Sequence, residues 1–249
     1  QTIVGLLERV FETYEESRVL VCTSSNSAID VIALRTQASS YFEQTGHDLN
    51  EFGFLFRFGM LNKINPLVKS LKPDSITEYH EASLGSCIVF STLDSCQPSQ
   101  LSLSNGGPGL MDFDLVIIDE AAQCSDVQIL MAFAHYCRTF VMFGDDSKAV
   151  IESQLCARLG YERSFFERYQ TIKDQAGDKS TVGLWKQYRM RHKICEFSSK
   201  HFYDGMMKTA RNAGKNFMIN LPPLTFFDVE NSEEHLDKNG FGNFKEVEF

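Results

Sequence analysis

Two neighbouring carboxylates, Asp119 and Glu120, directly follow the apolar run LVII at residues 115–118. A short continuous apolar run is typical of a strand that is buried on both faces of a parallel sheet. At the tip of such a strand, the first carboxylate can coordinate Mg2+, and the second can orient or deprotonate a water that attacks a phosphate. An ordinary strand that ends in a solvated acidic turn would show the same pattern, so the bare pattern leaves both interpretations open.

Four apolar segments of the chain end in polar residues, and they are the elements that would position such a site. They cover residues 18–23, 87–92, 115–118 and 139–143, with a helix expected over 2–16. The carboxyl ends of parallel strands lie along one edge of a sheet, where the ligands of open α/β sheets bind. The sequence therefore predicts an α/β fold with one shared site, formed by Thr23, Ser24, Thr92, Asp119, Glu120, Gly144 and Asp145.

Short polar side chains follow the first predicted strand in the sequence SSNSAID at residues 24–30. Any of the first four could cap the amino end of the next helix. The same hydroxyl, amide and backbone N–H groups could instead hold a nucleic-acid phosphate. The residue types alone do not separate helix capping from phosphate binding.

Aromatic residues alternate at Phe52, Phe54, Phe56 and Phe58, within a segment of about 37–83 that is expected to form a small insertion. Alternation of this kind favours one apolar face of a strand over a platform on which bases stack. We therefore expect these rings to belong to the core.

Composition and charge narrow the class of protein. The net charge of −9 and pI near 5.2 argue against nucleic-acid binding through bulk charge, although a local groove remains open. The seven cysteines contain no CxxC pair, which predicts free thiols, and neither they nor the six histidines predict a transition-metal site.

The chain shows no signal-peptide pattern and no apolar run long enough for a membrane span. We expect an intracellular protein, with nucleus and cytoplasm both open.

A polar stretch at residues 175–180 predicts a boundary between two domains, 1–174 and 181–249. The second domain is expected to contain a strand at 224–229. Its segment 186–200 is the most basic in the chain, which a solvated helical face would also explain.

The order of short motifs resembles the helicase core of superfamily 1B, the group of senataxin-like and nonsense-mediated-decay helicases. DEAAQ at 119–123 is similar to motif II of that family, and QYRM at 187–190 is similar to motif IV. Further similarities are SSNSAID at 24–30, LFRFG at 55–59, FGDD at 143–146, SFFERY at 164–169, HFYDGMM at 201–207, and Asn243 with Glu246.

This resemblance implies two RecA-like parallel-sheet domains of the P-loop NTPase fold, both incomplete, that use ATP and Mg2+. It implies that Asp119 helps to hold Mg2+, Glu120 activates water, Arg189 reaches the γ-phosphate and Tyr188 packs on the base. Other implied nucleotide contacts are Gln123, Asp145, Lys148 and Gln187, and implied contacts to the backbone of single-stranded RNA or DNA are Ser25, Asn26 and Thr92. It also implies 5′ to 3′ translocation, protein partners in an RNA-processing or surveillance complex, and no membrane.

Some positions depart from the family pattern. Lys148 stands where motif III carries glutamine, and the phosphate loop GxxxxGK[ST] is absent and expected just upstream of Gln1. A later arginine motif is expected beyond Phe249. We therefore expect this chain alone to hydrolyse little or no ATP. Two alternatives stay open: a helicase-like scaffold that binds nucleic acid or protein without turnover, and a nucleotide hydrolase that remodels proteins.

Overall fold

The structure is a computed structural model that describes residues 1–44, 54–72, 87–97, 111–145, 154–161, 163–213, 222–230, 233–237, 240–243 and 245. Contacts divide the chain into two units, Gln1–Lys179 and Ser180–Phe249. This division falls within the predicted boundary stretch 175–180. None of the helices in the described ranges is long and apolar enough to cross a membrane.

The first unit is built on a five-stranded sheet in which every described pairing is parallel. Its strands are β1 (Val19–Thr23), β2 (Leu55–Arg57), β3 (Ile88–Thr92), β4 (Asp112–Ile118) and β5 (Tyr136–Met142), in the order β2-β3-β1-β4-β5. All four predicted strands are present, and β4 and β5 begin earlier than predicted. The α/β prediction is confirmed.

Alternating side chains of the strands enter two cores, one on each face of the sheet. Val19 and Val21 of β1 pack in one core, and Leu20 and Cys22 pack in the other. The helices that cover the sheet and follow it are α1 (Thr2–Thr13), α2 (Asn26–Gln37), α3 (Ser40–Gln44), α4 (Asp126–Phe133), α5 (Gln154–Arg158) and α6 (Phe165–Gln175). Burial on both faces explains why β1, β3 and the second half of β4 read as continuous apolar runs.

The first helix is shorter than predicted. Helix α1 buries Ile3, Val4, Leu7 and Phe11 but ends at Thr13. Tyr14 lies beyond the end of the helix and is 67% exposed.

The alternating phenylalanines are core residues. Phe54, Phe56 and Phe58 are all buried, and Phe52 lies outside the described residues. The prediction of a single apolar face is wrong for Phe54, which packs on the opposite side of the sheet from Phe56 and Phe58 because the strand begins only at Leu55. Part of the predicted insertion is thus an edge strand of the main sheet.

The second unit contains two short ladders. Strands β6 (Lys186–Gln187) and β7 (Lys208–Thr209) are parallel and flank α7 (His192–Phe202), while β8 (His235–Asp237) and β9 (Gly240–Gly242) are antiparallel. The predicted strand at 224–229 is wrong. That segment is irregular, and it belongs to no ladder in the described part of the unit. Phe226 within it is 89% exposed.

A buried histidine joins three segments of the first unit. His135 Nδ1 accepts a hydrogen bond from Met111 N–H at 3.2 Å, and Nε2 lies 2.6 Å from the carbonyl oxygen of Cys96. Both contacts require the neutral ring with its proton on Nε2. Burial lowers the pKa of His135, and the Cys96 carbonyl opposes that shift.

This histidine predicts a pH dependence of stability. The lowered folded-state pKa means that the unfolded chain binds the proton more readily below about pH 6.5. The stabilisation is complete above that pH and is lost as the pH falls towards the folded pKa, by up to about 1.4 kcal/mol per pH unit. Urea unfolding between pH 5 and 8 should show this slope. His135→Gln should flatten it and lower stability, and exposed His201→Gln should leave it unchanged; an unaltered slope in His135→Gln would contradict the assignment.

Candidate active site

The carboxyl ends of the strands meet at one edge of the sheet. Thr23 is in register with Thr92, and Ile118 is in register with Cys22 on one side and Met142 on the other. The residues that follow these positions therefore lie side by side. The edge predicted from the four polar strand ends is present in the structure.

Backbone hydrogen bonds attach the acidic turn to both neighbouring strands. Asp119 N–H donates to the Cys22 carbonyl at 2.9 Å, and Ala121 N–H donates to the Phe143 carbonyl at 2.8 Å. Phe143 N–H in turn donates to the Ile118 carbonyl at 2.8 Å. Because both sides of the turn are bonded, the two carboxylates keep a fixed position relative to the sheet.

Glu120 adopts a left-handed backbone conformation, with φ 54° and ψ 36°. Non-glycine residues seldom adopt it because Cβ is crowded, and such strain is concentrated at functional sites. Gln123 lies in the 3-10 turn that follows and donates from Nε2 to Glu120 Oε2 at 3.0 Å. Glu120 and Gln123 thus contact each other, and the glutamine orients the carboxylate.

The two carboxylates of the turn differ in their electrostatic surroundings. Burial, with a contribution from the charge of Glu120, raises the pKa of Asp119. The Glu120 N–H, which donates to Asp119 Oδ1 at 3.1 Å, opposes this shift. A bound cation would stabilise the charged form of this carboxylate.

Helix α6 packs against the 3-10 turn that follows Glu120, and it thereby supports the acidic turn. A Cβ added to Gly144 would lie 3.1 Å from both Ala122 N and the ring of Phe166, so a larger residue would require Ala122 or Phe166 to shift by a few tenths of an ångström. Arg168 of the same helix forms an ion pair with Asp126 at the start of α4. Asp145 follows Gly144 and is half-buried, while Lys148 lies outside the described residues.

The cysteines near the turn are not nucleophiles. Burial raises the pKa of Cys124 to about 11, and burial also raises the pKa of Cys22 well above its usual value. Such thiols stay protonated and behave as small apolar groups. Cys124 Sγ lies 3.4 Å from the Glu120 carbonyl that it donates to. The six cysteines whose side chains are described are free.

The predicted nucleic-acid residues occupy the same edge beyond β1 and β3. Ser25 is the N-cap of α2, and its hydroxyl accepts a hydrogen bond from Ala28 N–H at 3.2 Å. Thr92 is 4% exposed and donates its hydroxyl to Ser95 Oγ at 3.0 Å. Asn26 is half-exposed in the first turn of α2. Capping is therefore established for Ser25, and nucleic-acid contact stays a prediction for all three.

Two charged residues beneath this edge were missed by sequence reasoning. Arg57 is fully buried and pairs with Asp30 at 2.7 Å between Nε and Oδ1. The available signal was the charged residue inside the apolar LFRFG segment, because arginine is seldom fully buried without a partner. Its partner could not be identified from sequence, since Asp30 is 27 positions away.

In the second unit, Gln187 holds the QYRM turn together. Its Oε1 accepts from Arg189 N–H at 2.8 Å and Met190 N–H at 2.7 Å, and its Nε2 donates to the Met190 carbonyl and Thr209 Oγ1. These four bonds use the full capacity of a primary amide. Tyr188 and Arg189 are exposed, and Lys186 Nζ lies 5.6 Å from the Tyr188 ring centre.

The strain at Glu120 gives a stability prediction. Glu120→Gly and Glu120→Ala both remove the carboxylate, but only alanine retains the Cβ that is crowded in the left-handed region. Glycine should therefore be the more stable variant by about 1 kcal/mol, as measured by denaturant unfolding. The same pair of substitutions at exposed Glu196, in the interior of α7, should favour alanine instead. Equal stabilities at position 120 would contradict backbone strain.

Two family models, each described as an AAA domain, match residues 62–148 and 161–249. The chain is 30% identical to "Probable helicase MAGATAMA 3" of Arabidopsis thaliana, covering 93% of this chain and 31% of that relative. It is 28% identical to "DNA replication ATP-dependent helicase/nuclease DNA2" of Bos taurus, covering 85% and 18%. It is 26% identical to "Probable helicase senataxin" of Homo sapiens, covering 66% and 6%.

The chain spans less than a third of the length of these three relatives. AAA domains have the P-loop NTPase fold, so that part of the fold prediction is confirmed together with the parallel sheet. The chain belongs to the family of AAA-domain proteins that is homologous to the senataxin-like and DNA2-like helicases of superfamily 1.

Proposed function

We propose that the chain is part of the motor core of an ATP-dependent helicase, which couples hydrolysis of Mg-ATP to 5′ to 3′ movement along single-stranded nucleic acid, with RNA as the substrate. The observation that carries the proposal is the half-buried pair Asp119 and Glu120, held between two parallel strands at the carboxyl edge of the sheet. Homology to proteins named as helicases supports the same conclusion.

Asp119 is the proposed protein ligand of Mg2+. Its Oδ1 accepts the Glu120 N–H, and Oδ2 has no partner among the described residues, so one oxygen is available. Carboxylate oxygen suits Mg2+, which in nucleotide sites takes one or two carboxylates together with water and phosphate. When bound, Mg2+ would neutralise charge on the phosphates. The burial that raises the pKa of Asp119 favours such a counter-charge.

Glu120 is the proposed base for the attacking water. Its Oε2 accepts from Gln123, and Oε1 has no partner within the described part of the chain. The side chain is thus oriented by one oxygen and available through the other. We propose Asp145 and Lys148 as further contacts to the nucleotide phosphates, since both follow β5 in the sequence.

Residues of the second unit supply the remaining proposed nucleotide contacts. The guanidinium of Arg189 has no hydrogen-bond or ionic partner among the described residues, and an unengaged arginine can neutralise charge that develops during phosphoryl transfer. Tyr188 is exposed and offers a ring for the nucleotide base. We propose that Gln187 acts with them by shaping the turn that presents both side chains.

We also propose that Ser25, Asn26 and Thr92 line the path of the single strand. Their hydroxyl and amide groups suit phosphate and sugar more than base edges, which predicts weak sequence preference. Because a net charge of −9 does not attract nucleic acid to the protein as a whole, binding would depend on the polar groups of this local edge.

The catalytic assignment is tested with two substitutions. This chain contains no phosphate loop, so it should hydrolyse little or no ATP alone; a version extended at its N-terminus by a phosphate loop should show ATPase activity that single-stranded RNA stimulates. In that protein, Glu120→Gln should lower kcat by about 100-fold or more, and Arg189→Ala by about 1,000-fold. Turnover by the chain alone that Glu120→Gln abolishes would contradict the expected inactivity.

Matched controls remove the same charges elsewhere. Glu16→Gln lies in the exposed segment after α1, and Lys193→Ala lies on the exposed face of α7, so neither should change kcat. Tight binding of nucleic acid without turnover in the extended protein would favour the scaffold alternative. ATPase activity that is indifferent to nucleic acid would favour a protein-remodelling hydrolase.

A further inference from the structure

The buried guanidinium of Arg57 connects the end of β2 to α2 below the edge proposed to bind the single strand. Its Nε donates to Asp30 Oδ1 at 2.7 Å, its Nη1 donates to the Phe58 carbonyl, and its Nη2 donates to Asn26 Oδ1 at 2.9 Å. Asp30 compensates the charge of Arg57 at the cost of desolvating both groups. Arg57 therefore has a fixed geometry that includes the side chain of Asn26.

The surrounding structure keeps this network in place. Asp30 uses its second oxygen to accept Asn65 N–H at 2.8 Å, which ties the pair to the start of a 3-10 helix. A Cβ on Gly59 would lie 3.0 Å from Arg57 Nη1, and the Gly59 carbonyl accepts from Lys72 Nζ at 2.6 Å. The guanidinium thus has little room to move.

The contact with Arg57 determines which end of the Asn26 amide faces outward. Arginine has only donors, so the atom that it contacts must be the amide oxygen. The Nδ2 group then points away from the buried network, and it has no hydrogen-bond partner among the described residues. Asn26 is half-exposed beside the Ser25 cap, at the edge of the sheet.

We propose that Arg57 is a positioning residue that presents the Nδ2 group of Asn26 as a hydrogen-bond donor to a phosphodiester oxygen of the bound single strand. This inference rests on the proposed function and adds the direction of the bond and the residue that enforces it. A phosphate oxygen is an acceptor only, so it matches a donor and is repelled by an exposed amide or carboxylate oxygen.

Asn26→Asp tests the direction of the amide with nearly unchanged shape. One carboxylate oxygen can still accept from Arg57, and an anion in the first turn of α2 is favoured by the helix dipole. The variant should therefore unfold at a denaturant midpoint equal to or above that of the wild type. Its outward atom becomes an acceptor, so its Kd for a single-stranded oligonucleotide should rise by about 10-fold or more.

Two further variants separate the effect of losing the amide from the effect of adding negative charge. Asn26→Ala leaves Nη2 of Arg57 without its acceptor, so it should lower both stability and affinity. Ser27→Asp adds the same charge at the neighbouring exposed position without altering the amide. Binding is measured by fluorescence anisotropy with RNA and DNA oligonucleotides at low and high salt. The defect of Ser27→Asp should shrink as salt rises, and the additional defect of Asn26→Asp should remain.

A double-mutant cycle tests the role of Arg57. Lysine can pair with Asp30 but cannot also hold Asn26 and Phe58, because it lacks the planar fork of donors. Arg57→Lys should weaken binding by about 10-fold in the wild type and add almost nothing in the Asn26→Ala background. Equal effects in both backgrounds would reduce Arg57 to a stabilising residue. If Arg57→Lys does not fold, the position-26 variants still decide the direction of the bond.

Failure of the inference can be told apart from failure of the proposed function. If the wild-type chain binds neither RNA nor DNA, both proposals for this edge are wrong. If the wild type binds and Asn26→Asp binds equally well at both salt concentrations, only the orientation of Asn26 is wrong. If Asn26→Asp loses as much stability as Asn26→Ala, the amide oxygen does not face Arg57 and the positioning role is wrong.

Discussion

The parallel pairing of β4 with β1 and β5 is the constraint on which the rest of the first unit depends. It pairs β4 on both sides, and it continues past the strand end through the bonds of Asp119 and Ala121. The acidic turn is therefore part of the sheet, not a loop attached to it. The strained backbone at Glu120 persists because hydrogen bonds on both sides of the turn hold it in place.

A second layer of polar contacts supports the same edge from below. Arg57 and Asp30 are both buried, and an isolated charge at either position would be expensive to desolvate. Pairing offsets this cost, and the remaining donors of Arg57 fix nearby carbonyl and amide groups. The network joins β2 to the amino end of α2 through a bond of defined direction, which apolar packing could not supply.

Sequence patterns predicted the elements that depend on the order of apolar and polar residues within one short segment. Continuous apolar runs located β1, β3 and β4 because strands buried on both faces need them, and a run at 139–143 located the partly exposed edge strand β5. The polar ends of these runs located the shared edge. The end of α1 and the irregular segment 224–229 were predicted wrongly, since apolar spacing does not show where a helix stops or whether a strand has a neighbour. The Arg57 network was missed because its members meet only after folding.

The described residues at the candidate sites fall into two chemical groups. Gln187 uses its whole hydrogen-bonding capacity internally, and Arg57 donates from all three of its nitrogens. Asp119, Asn26 and Arg189 each retain a polar group that has no partner in the described part of the chain. A side chain whose polar groups are all paired is destabilised if it leaves its partners, so it fixes the local shape. A side chain with an unpaired polar group can form a further hydrogen bond when a ligand binds. Motif letters alone cannot separate these roles, because both kinds of residue stand side by side in QYRM.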